Sequence, residues 1–377
     1  MIVVAGAVAQ RPARPGHAWA FLQYLLGFKR LGRDVLLLDR VPANTSPEEA
    51  AVMVSWLQSV ASFAGLSQAW AIAMPDGSYI GLSYADVVGR VRSSELLLDV
   101  NGVLSGDDML SAAPRRVFLD IDPGFIQMWK ALGLADVLSG HDMFVTVASR
   151  MGAVGCDIPT LGLDWTTVQP PVVLEHWPEA PIKRSGAFTS IATWRGPFGP
   201  VEFGGETYGL RVHEFRRFLP LPGTTGARFE VVLDIDPKDE RDRIALREAG
   251  WHLRDPASTV PSLGTYRDYI TRSKAETCIA KSMYVRTGSG WFSDRSACYL
   301  ATGRPVLAQE TGFSYSLPTG EGLISFDSIE SAAAGIRMIE ADLITHSRAA
   351  RRIAEEHFDS DIVLTRLLRQ LDQGPVQ

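Results

Sequence analysis

Short, wholly apolar runs recur along this chain, and each is followed by a segment of helical periodicity. Ile2 to Ala5 is apolar at every position, the mark of a strand covered on both faces. Gly6 to Gly16 is a loop of small residues and proline. From His17 to Leu31, Phe21, Leu22, Leu25 and Phe28 recur at helical spacing. Gly32 stops that helix, and Val35 to Leu38 is a second apolar run. A strand, a helix and a strand of these lengths require parallel pairing through a right-handed crossover. The rhythm continues with a helix over Pro47 to Ala64 and strands over Leu96 to Val100, Arg116 to Asp120 and Asp142 to Ala148. A turn at Asp122-Pro123-Gly124 leads a helix that reaches Leu132. The expected class is α/β with a doubly wound parallel sheet.

Pro159 to Arg184 breaks the rhythm with Pro159, Pro170, Pro171, Pro178 and Pro181, and reads as a crossing segment between domains. Beyond it the alternation restarts with a strand over Ala187 to Ala192. A long Gly/Pro loop follows, then a helix over Arg211 to Phe218 and a strand over Phe229 to Leu233. Helices are expected over Asp239 to Ala249, Leu263 to Ser273, Ile329 to Ala341 and His346 to Leu371, the last kinked near Asp359, and a short strand over Thr277 to Ala280. The 377 residues suit two domains, expected over 1–175 and 185–350, with a terminal helix over 351–377.

At 46 % hydrophobic residues each half can build a full core, and a net charge of −6 excludes a general nucleic-acid binder. Cys156, Cys278 and Cys298 show no paired spacing, which gives no disulfide or zinc framework and suits a reducing compartment. Met1 leads directly into the first apolar run with no basic segment before it, and no apolar run approaches the roughly 20 residues of a membrane helix. A cytoplasmic protein is expected, with peripheral membrane attachment and homodimer formation left open. There is no H-E-x-x-H, Walker A or Gly-x-Ser-x-Gly motif, and the loop from Gly6 to Gly16 is not a dinucleotide fingerprint.

The most informative stretch is Tyr284 to Phe326. Tyr284-Val285 reads as the end of an extended segment and Thr287 to Gly290 as a small-residue loop. Ser293-Asp294 offers a helix N-cap, Arg295 to Ala301 makes about two turns, and Gly303 ends them. Arg304 to Ala308 is then a short strand with Pro305 at its start. A glycine loop feeding a helix N-terminus leaves N–H groups and a partial positive charge for a phosphate. The run ATGRPVLAQETG resembles the ACGRPVVA…GG segment of glycosyltransferases of the GT-B fold. The longer string SGWFSDRSACYLATGRPVLAQETGFS…LPTGEGLISF resembles a bacterial subgroup of them, and the resemblance extends from residue 1 to about 370. It implies two Rossmann-like domains facing across a cleft, acceptor on the first and donor on the second, with the last helix crossing back to the first. One departure is clear. Many retaining enzymes of this fold carry two glutamates where this chain has Gly290 and Cys298.

Gly16-His17 lies beyond the first strand, at the edge where open α/β sheets bind ligands. Its spacing to Gly32 resembles the GH…G stretch of inverting GT-B enzymes, where the histidine is the base; the plainer reading is a solvent-facing helix start. Asp122, after the strand that ends at Asp120, is the candidate orienting carboxylate, or simply a helix N-cap. His141 is a weaker binding candidate. For the diphosphate the candidates are Arg195, Ser289, Gly290, Ser293, Arg295 and Ser296, against surface and capping roles. Asp294 would repel a diphosphate and is read as structural or sugar-facing. Gln309, Glu310 and Thr311 are candidates for the sugar hydroxyls. Tyr284, beside Lys281, is a candidate to stack on the base, and Glu321 to take the ribose hydroxyls; packing and turn roles are the alternatives.

The resemblance implies hexosyl transfer from a uridine or thymidine diphosphate sugar to a small-molecule acceptor of natural-product type. His17 is the expected inverting base, the nucleotide sugar the expected co-substrate, and neither a metal nor a further cofactor is expected. The alternatives are a retaining transferase, a sugar-nucleotide epimerase, and a non-catalytic binder of nucleotide sugars.

Overall fold

The computed structural model describes residues 1–196 and 198–373, which divide into two compact units. Among the described residues the first comprises 1–147, 160–173 and 360–373; the second comprises 148–159 and 174–359.

The first unit is an eight-stranded sheet. Its strands are β1 (Ile2–Ala5), β2 (Val35–Arg40), β3 (Trp70–Ala73), β4 (Tyr79–Gly81), β5 (Leu96–Val100), β6 (Arg116–Asp120), β7 (Met143–Thr146) and β8 (Trp165–Thr167). They lie in the order β4-β3-β2-β1-β5-β6-β7-β8, all parallel except the β3–β4 pair. The order reverses beside β1, so the loops after β1 and β5 flank a topological switch point. The helices are α1 (Pro15–Arg30), α2 (Pro47–Phe63), α3 (Tyr84–Arg92), α4 (Asp108–Ala112) and α5 (Phe125–Ala131). On one face of the sheet Val3, Ala5, Leu36, Leu38 and Leu97 pack against Val87 and Val91 of α3 and Met109 and Leu110 of α4. Pro15 opens α1, and a capping box between Ser46 and Glu49 opens α2.

The second unit carries β9 (Phe188–Thr193), a hairpin of β10 (Val201–Phe203) and β11 (Glu206–Tyr208), then β12 (Phe229–Asp234), β13 (Trp251–Arg254), β14 (Ala275–Cys278), β15 (Val306–Gln309) and β16 (Leu323–Phe326). Its main sheet is fully parallel, in the order β13-β12-β9-β14-β15-β16. Its helices are α6 (Arg211–Arg217), α7 (Leu221–Thr225), α8 (Glu240–Glu248), α9 (Pro256–Thr259), α10 (Leu263–Arg272), α11 (Ser282–Thr287), α12 (Asp294–Ala301), α13 (Ile329–Ala341) and α14 (Leu343–His357). The last of the described helices is α15 (Ser360–Gln373), which belongs to the first unit. There it packs on α1 through the fork of Arg30 on Asp361, with both N–O distances at 3.0 Å.

The structure corrects several expectations. Tyr284-Val285 lies in helix α11, not in an extended segment; β14 has already ended at Cys278, and Lys281 is the helix N-cap. The Gly/Pro loop after β9 contains the β10–β11 hairpin, whose tight turn is made by Gly204 and Gly205, both at positive φ. The proline-rich crossing segment supplies β8, paired to β7. The last helix is two helices, broken at Phe358-Asp359, and only the second joins the first unit, so that division comes at 360 and not at 351. Residues 148–159, expected in the first domain, belong to the second unit.

Candidate functional site

In the first unit, polar side chains gather at the carboxyl edge of the sheet around β1. His17 lies in the first turn of α1, and its Nε2 is 3.0 Å from the carbonyl oxygen of Ala7 in the β1–α1 loop. A carbonyl only accepts, so Nε2 carries the proton and donates. Burial pulls the His17 pKa down to about 4; Arg11 lowers it further, and Asp122 acts through space in the other direction. At neutral pH the ring is therefore the neutral Nε2–H tautomer, with its lone pair on Nδ1. Phe21 closes one side, edge-on with centroids 5.0 Å apart. Ala7 thus supplies a hydrogen bond to Nε2, and Asp122, the expected partner, acts on the ring through its charge.

Three strands of this sheet place an aspartate at or near their carboxyl ends, and all three side chains are fully buried. Asp39 on β2 accepts the Ala9 N–H at 2.6 Å and the Arg40 N–H at 2.7 Å; burial pushes its pKa up to about 7. Asp99 on β5 accepts the Leu104 N–H and meets His141 Nε2 at 3.1 Å. Asp120 on β6 accepts Gln127 Nε2 at 2.7 Å, Thr146 Oγ1 at 2.9 Å and the Asp122 N–H at 3.1 Å; burial raises its pKa to about 6. Sequence reasoning singled out only Asp120 and Asp122. The signal for the rest was present as a repeated pattern, LLLD at 36–39 and 96–99 and FLD at 118–120.

In the second unit the glycine loop is closed, not open. The N–H of Gly288 bonds Val285 O, that of Ser289 bonds Tyr284 O, that of Gly290 bonds Thr311 O at 2.6 Å, and that of Trp291 bonds Ser289 Oγ at 3.2 Å. Every amide from 288 to 291 is thereby consumed internally. A strap formed by residues 148–159 seals the outer side. Ala148 forms a β-bridge with Trp291, the Arg150 N–H bonds Ser289 O at 3.1 Å, Ser149 Oγ donates to Gly290 O at 3.0 Å, and the Asp157 N–H bonds Thr287 O at 2.9 Å. A Cβ on Gly290, which sits at φ +73°, would collide with Ser149 Oγ.

Of the other diphosphate candidates, Arg295 and Arg195 are paired with carboxylates, and Ser293 and Ser296 lie at the start of α12. Arg295 is buried with Nε 2.6 Å from Glu276, Nη1 2.7 Å from Ile191 O and Nη2 3.2 Å from Cys278 Sγ. Its guanidinium anchors α12 to β14 and β9. Ser293 is the backbone N-cap of α12, and Ser296 is buried in its first turn. The Asp294 carboxylate accepts the Arg295 N–H, so the positive end of α12 already faces a carboxylate of its own. Arg195 is half exposed at the carboxyl end of β9, forked onto Asp239 at 2.9 and 2.5 Å.

Gln309 is buried and used at both ends: Oε1 accepts the Ala280 N–H at 3.1 Å and Nε2 donates to Glu214 at 2.6 Å. Glu310 Oε1 gathers the N–H groups of Thr311 at 3.1 Å and Gly312 at 2.6 Å, and Thr311 Oγ1 donates to Trp291 O. Tyr284 is buried and stacked on Trp291, centroids 4.2 Å apart, while Glu321 is exposed. Packing and capping thus occupy most of the residues expected to touch donor. Among the described residues no group of three His, Cys, Asp or Glu could hold a metal ion, and no helix is long and apolar enough to cross a membrane.

No family model matches this chain, and no curated protein matches it. Solved structures do. AviGT4, a glycosyltransferase involved in avilamycin A biosynthesis, is similar at 13 % identity with a TM-score of 0.58, over 99 % of this chain and 98 % of that one. Anabaena HepE in complex with UDP and glucose is similar at 11 % identity with a TM-score of 0.59, over 99 % of both chains. Pneumococcal GtfA, an O-GlcNAc transferase in complex with UDP and GlcNAc, is similar at 9 % identity and 0.52, over 99 % and 98 %. The fold is GT-B. At these identities the likeness carries the path of the chain, and the GT-B topology accounts for both parallel sheets and for the return of α15 to the first unit.

Proposed function

We propose that this GT-B protein transfers a glycosyl group from a nucleoside diphosphate sugar to a hydroxyl of a small-molecule acceptor, with inversion, using His17 as general base. The observation that carries the reading is the His17 ring itself. It is neutral at pH 7, held in one tautomer by Ala7, and offers the Nδ1 lone pair at the carboxyl edge of β1. The base takes the acceptor proton at Nδ1 as the hydroxyl attacks the anomeric carbon and the nucleoside diphosphate leaves. UDP-bound neighbours of the same fold support a uridine diphosphate sugar as donor. Arg195 is the cation for the leaving diphosphate, because its guanidinium is half exposed and a phosphate can replace Asp239 as its partner.

His17→Ala should lower the rate of transfer by about 10²–10⁴-fold with the fold intact. Full transfer by that variant would remove the base assignment. A retaining reaction is the second reading, and the same ring favours it in one respect: an imidazole with a pKa of about 4 is a weak proton acceptor and a good hydrogen-bonding positioner. The anomeric configuration of the product, read by NMR, separates the two.

A further inference from the structure

We propose that Asp39 is a positioning residue for His17, acting through the backbone of the β1–α1 loop. The inference rests on the base reading above and deepens it. His17 Nε2 bonds Ala7 O at 3.0 Å, and Ala7 belongs to the β1–α1 loop, which Gly6 N–H joins to β2 through Leu38 O. Two residues on, the Ala9 N–H donates to Asp39 Oδ2 at 2.6 Å, a short bond to a fully buried carboxylate. Asp39 Oδ1 takes the Arg40 N–H at 2.7 Å, and Gln10 Nε2, next along the loop, donates to Arg40 O at 3.1 Å. Val8 and Ala9 are themselves fully buried against this carboxylate. Asp39 therefore fixes the far side of the two-residue span whose near side sets the imidazole.

A carboxylate serves here better than an amide. Both its oxygens accept, and both face backbone N–H groups; an asparagine at 39 would turn an NH2 toward one of them. A protonated Asp39 likewise gives up one acceptor. Burial drives the Asp39 pKa up to about 7, opposed by the hydrogen bonds from Ala9, Arg40, Gln10 and Val8. The charged groups that act on His17 are Arg11 and Asp122. The carboxylate accordingly gains its proton as pH falls through about 7, well above the range in which His17 protonates, and the loop loosens there first.

The test uses the whole protein and reads the His17 ring directly by ¹⁵N NMR, identifying it by its loss in His17→Ala. In Asp39→Asn the ring is expected to leave the single Nε2–H tautomer and to titrate at higher pH, with kcat down roughly tenfold or more and the acceptor KM little changed, since a displacement of about 1 Å can lower a rate about 10²-fold. In the wild-type protein the ¹⁵N signals are expected to shift as pH crosses about 7. The proposal is overturned if His17 shows the same tautomer and titration in folded Asp39→Asn as in wild type, or if the wild-type ring is unmoved between pH 8 and 6. The NMR readout does not depend on turnover, so a His17 that proves dispensable for transfer refutes the base reading and leaves the link to Asp39 to be decided by the spectra.

Discussion

Arg295 separates a packing role from a ligand role. Its guanidinium meets Glu276 Oε1 at 2.6 Å, Ile191 O at 2.7 Å and Cys278 Sγ at 3.2 Å, and the Glu276 side chain has no exposed surface. Replacing Arg295 by Met keeps most of the side-chain volume and strands the Glu276 carboxylate in the core. Breaking a buried pair in this way costs about 3–5 kcal/mol. For a unit of roughly 200 residues that is a fall in Tm of about 6–20 °C. The double variant Arg295→Met with Glu276→Leu removes both charges and should recover most of the loss, a strong departure from additivity. Urea and thermal unfolding of the three variants supply the cycle. UDP titration at a temperature where all remain folded supplies the ligand arm, in which no weakening is expected. A stable Arg295→Met that binds UDP more weakly would refute the argument and return Arg295 to the diphosphate.

Other expectations follow from the same contacts. Gly290→Ala combines an αL backbone with a collision against Ser149, and should destabilise the second unit by roughly 2–5 kcal/mol, measured by denaturant unfolding. Arg195→Ala should change stability by about 1 kcal/mol, because the arginine is half exposed, yet weaken UDP binding about tenfold or more by calorimetry. The pH dependence has a defined sign. Asp120 has a folded pKa of about 6 against an ordinary 3.8, so its contribution to stability is fully present below about 3.8 and is lost as pH rises to about 6. His17, lowered to about 4 from 6.5, contributes the opposite slope, with stability rising from about pH 4 to 6.5. Unfolding of His17→Ala across that range should show a steeper fall with pH than wild type.

Most elements were legible because their signals are local. Ile2 to Ala5, Leu96 to Val100 and Phe229 to Leu233 are runs with no polar alternation, which only a doubly covered strand tolerates. Gly32 and Gly303 end helices through a left-handed backbone that needs no partner from elsewhere. The short strands β3, β4, β8 and β16 escaped because three or four residues carry too little period to read. The place of His17 after β1 was legible, whereas its hydrogen bond to Ala7 was not, since a backbone carbonyl has no letter in the sequence.

The amino-acid sequence by itself determined the alternation of elements, the parallel sheets and the helix ends, all consequences of neighbours within a few residues. Only the tertiary structure decided which polar groups are spent inside the protein. Gln309 is used by Glu214, 95 residues away, Arg295 by Glu276 and Ile191, and the Gly290 amide of the glycine loop by Thr311. A buried donor must find an acceptor wherever the fold brings one, and that assignment is a property of three-dimensional proximity, which a one-dimensional motif does not encode.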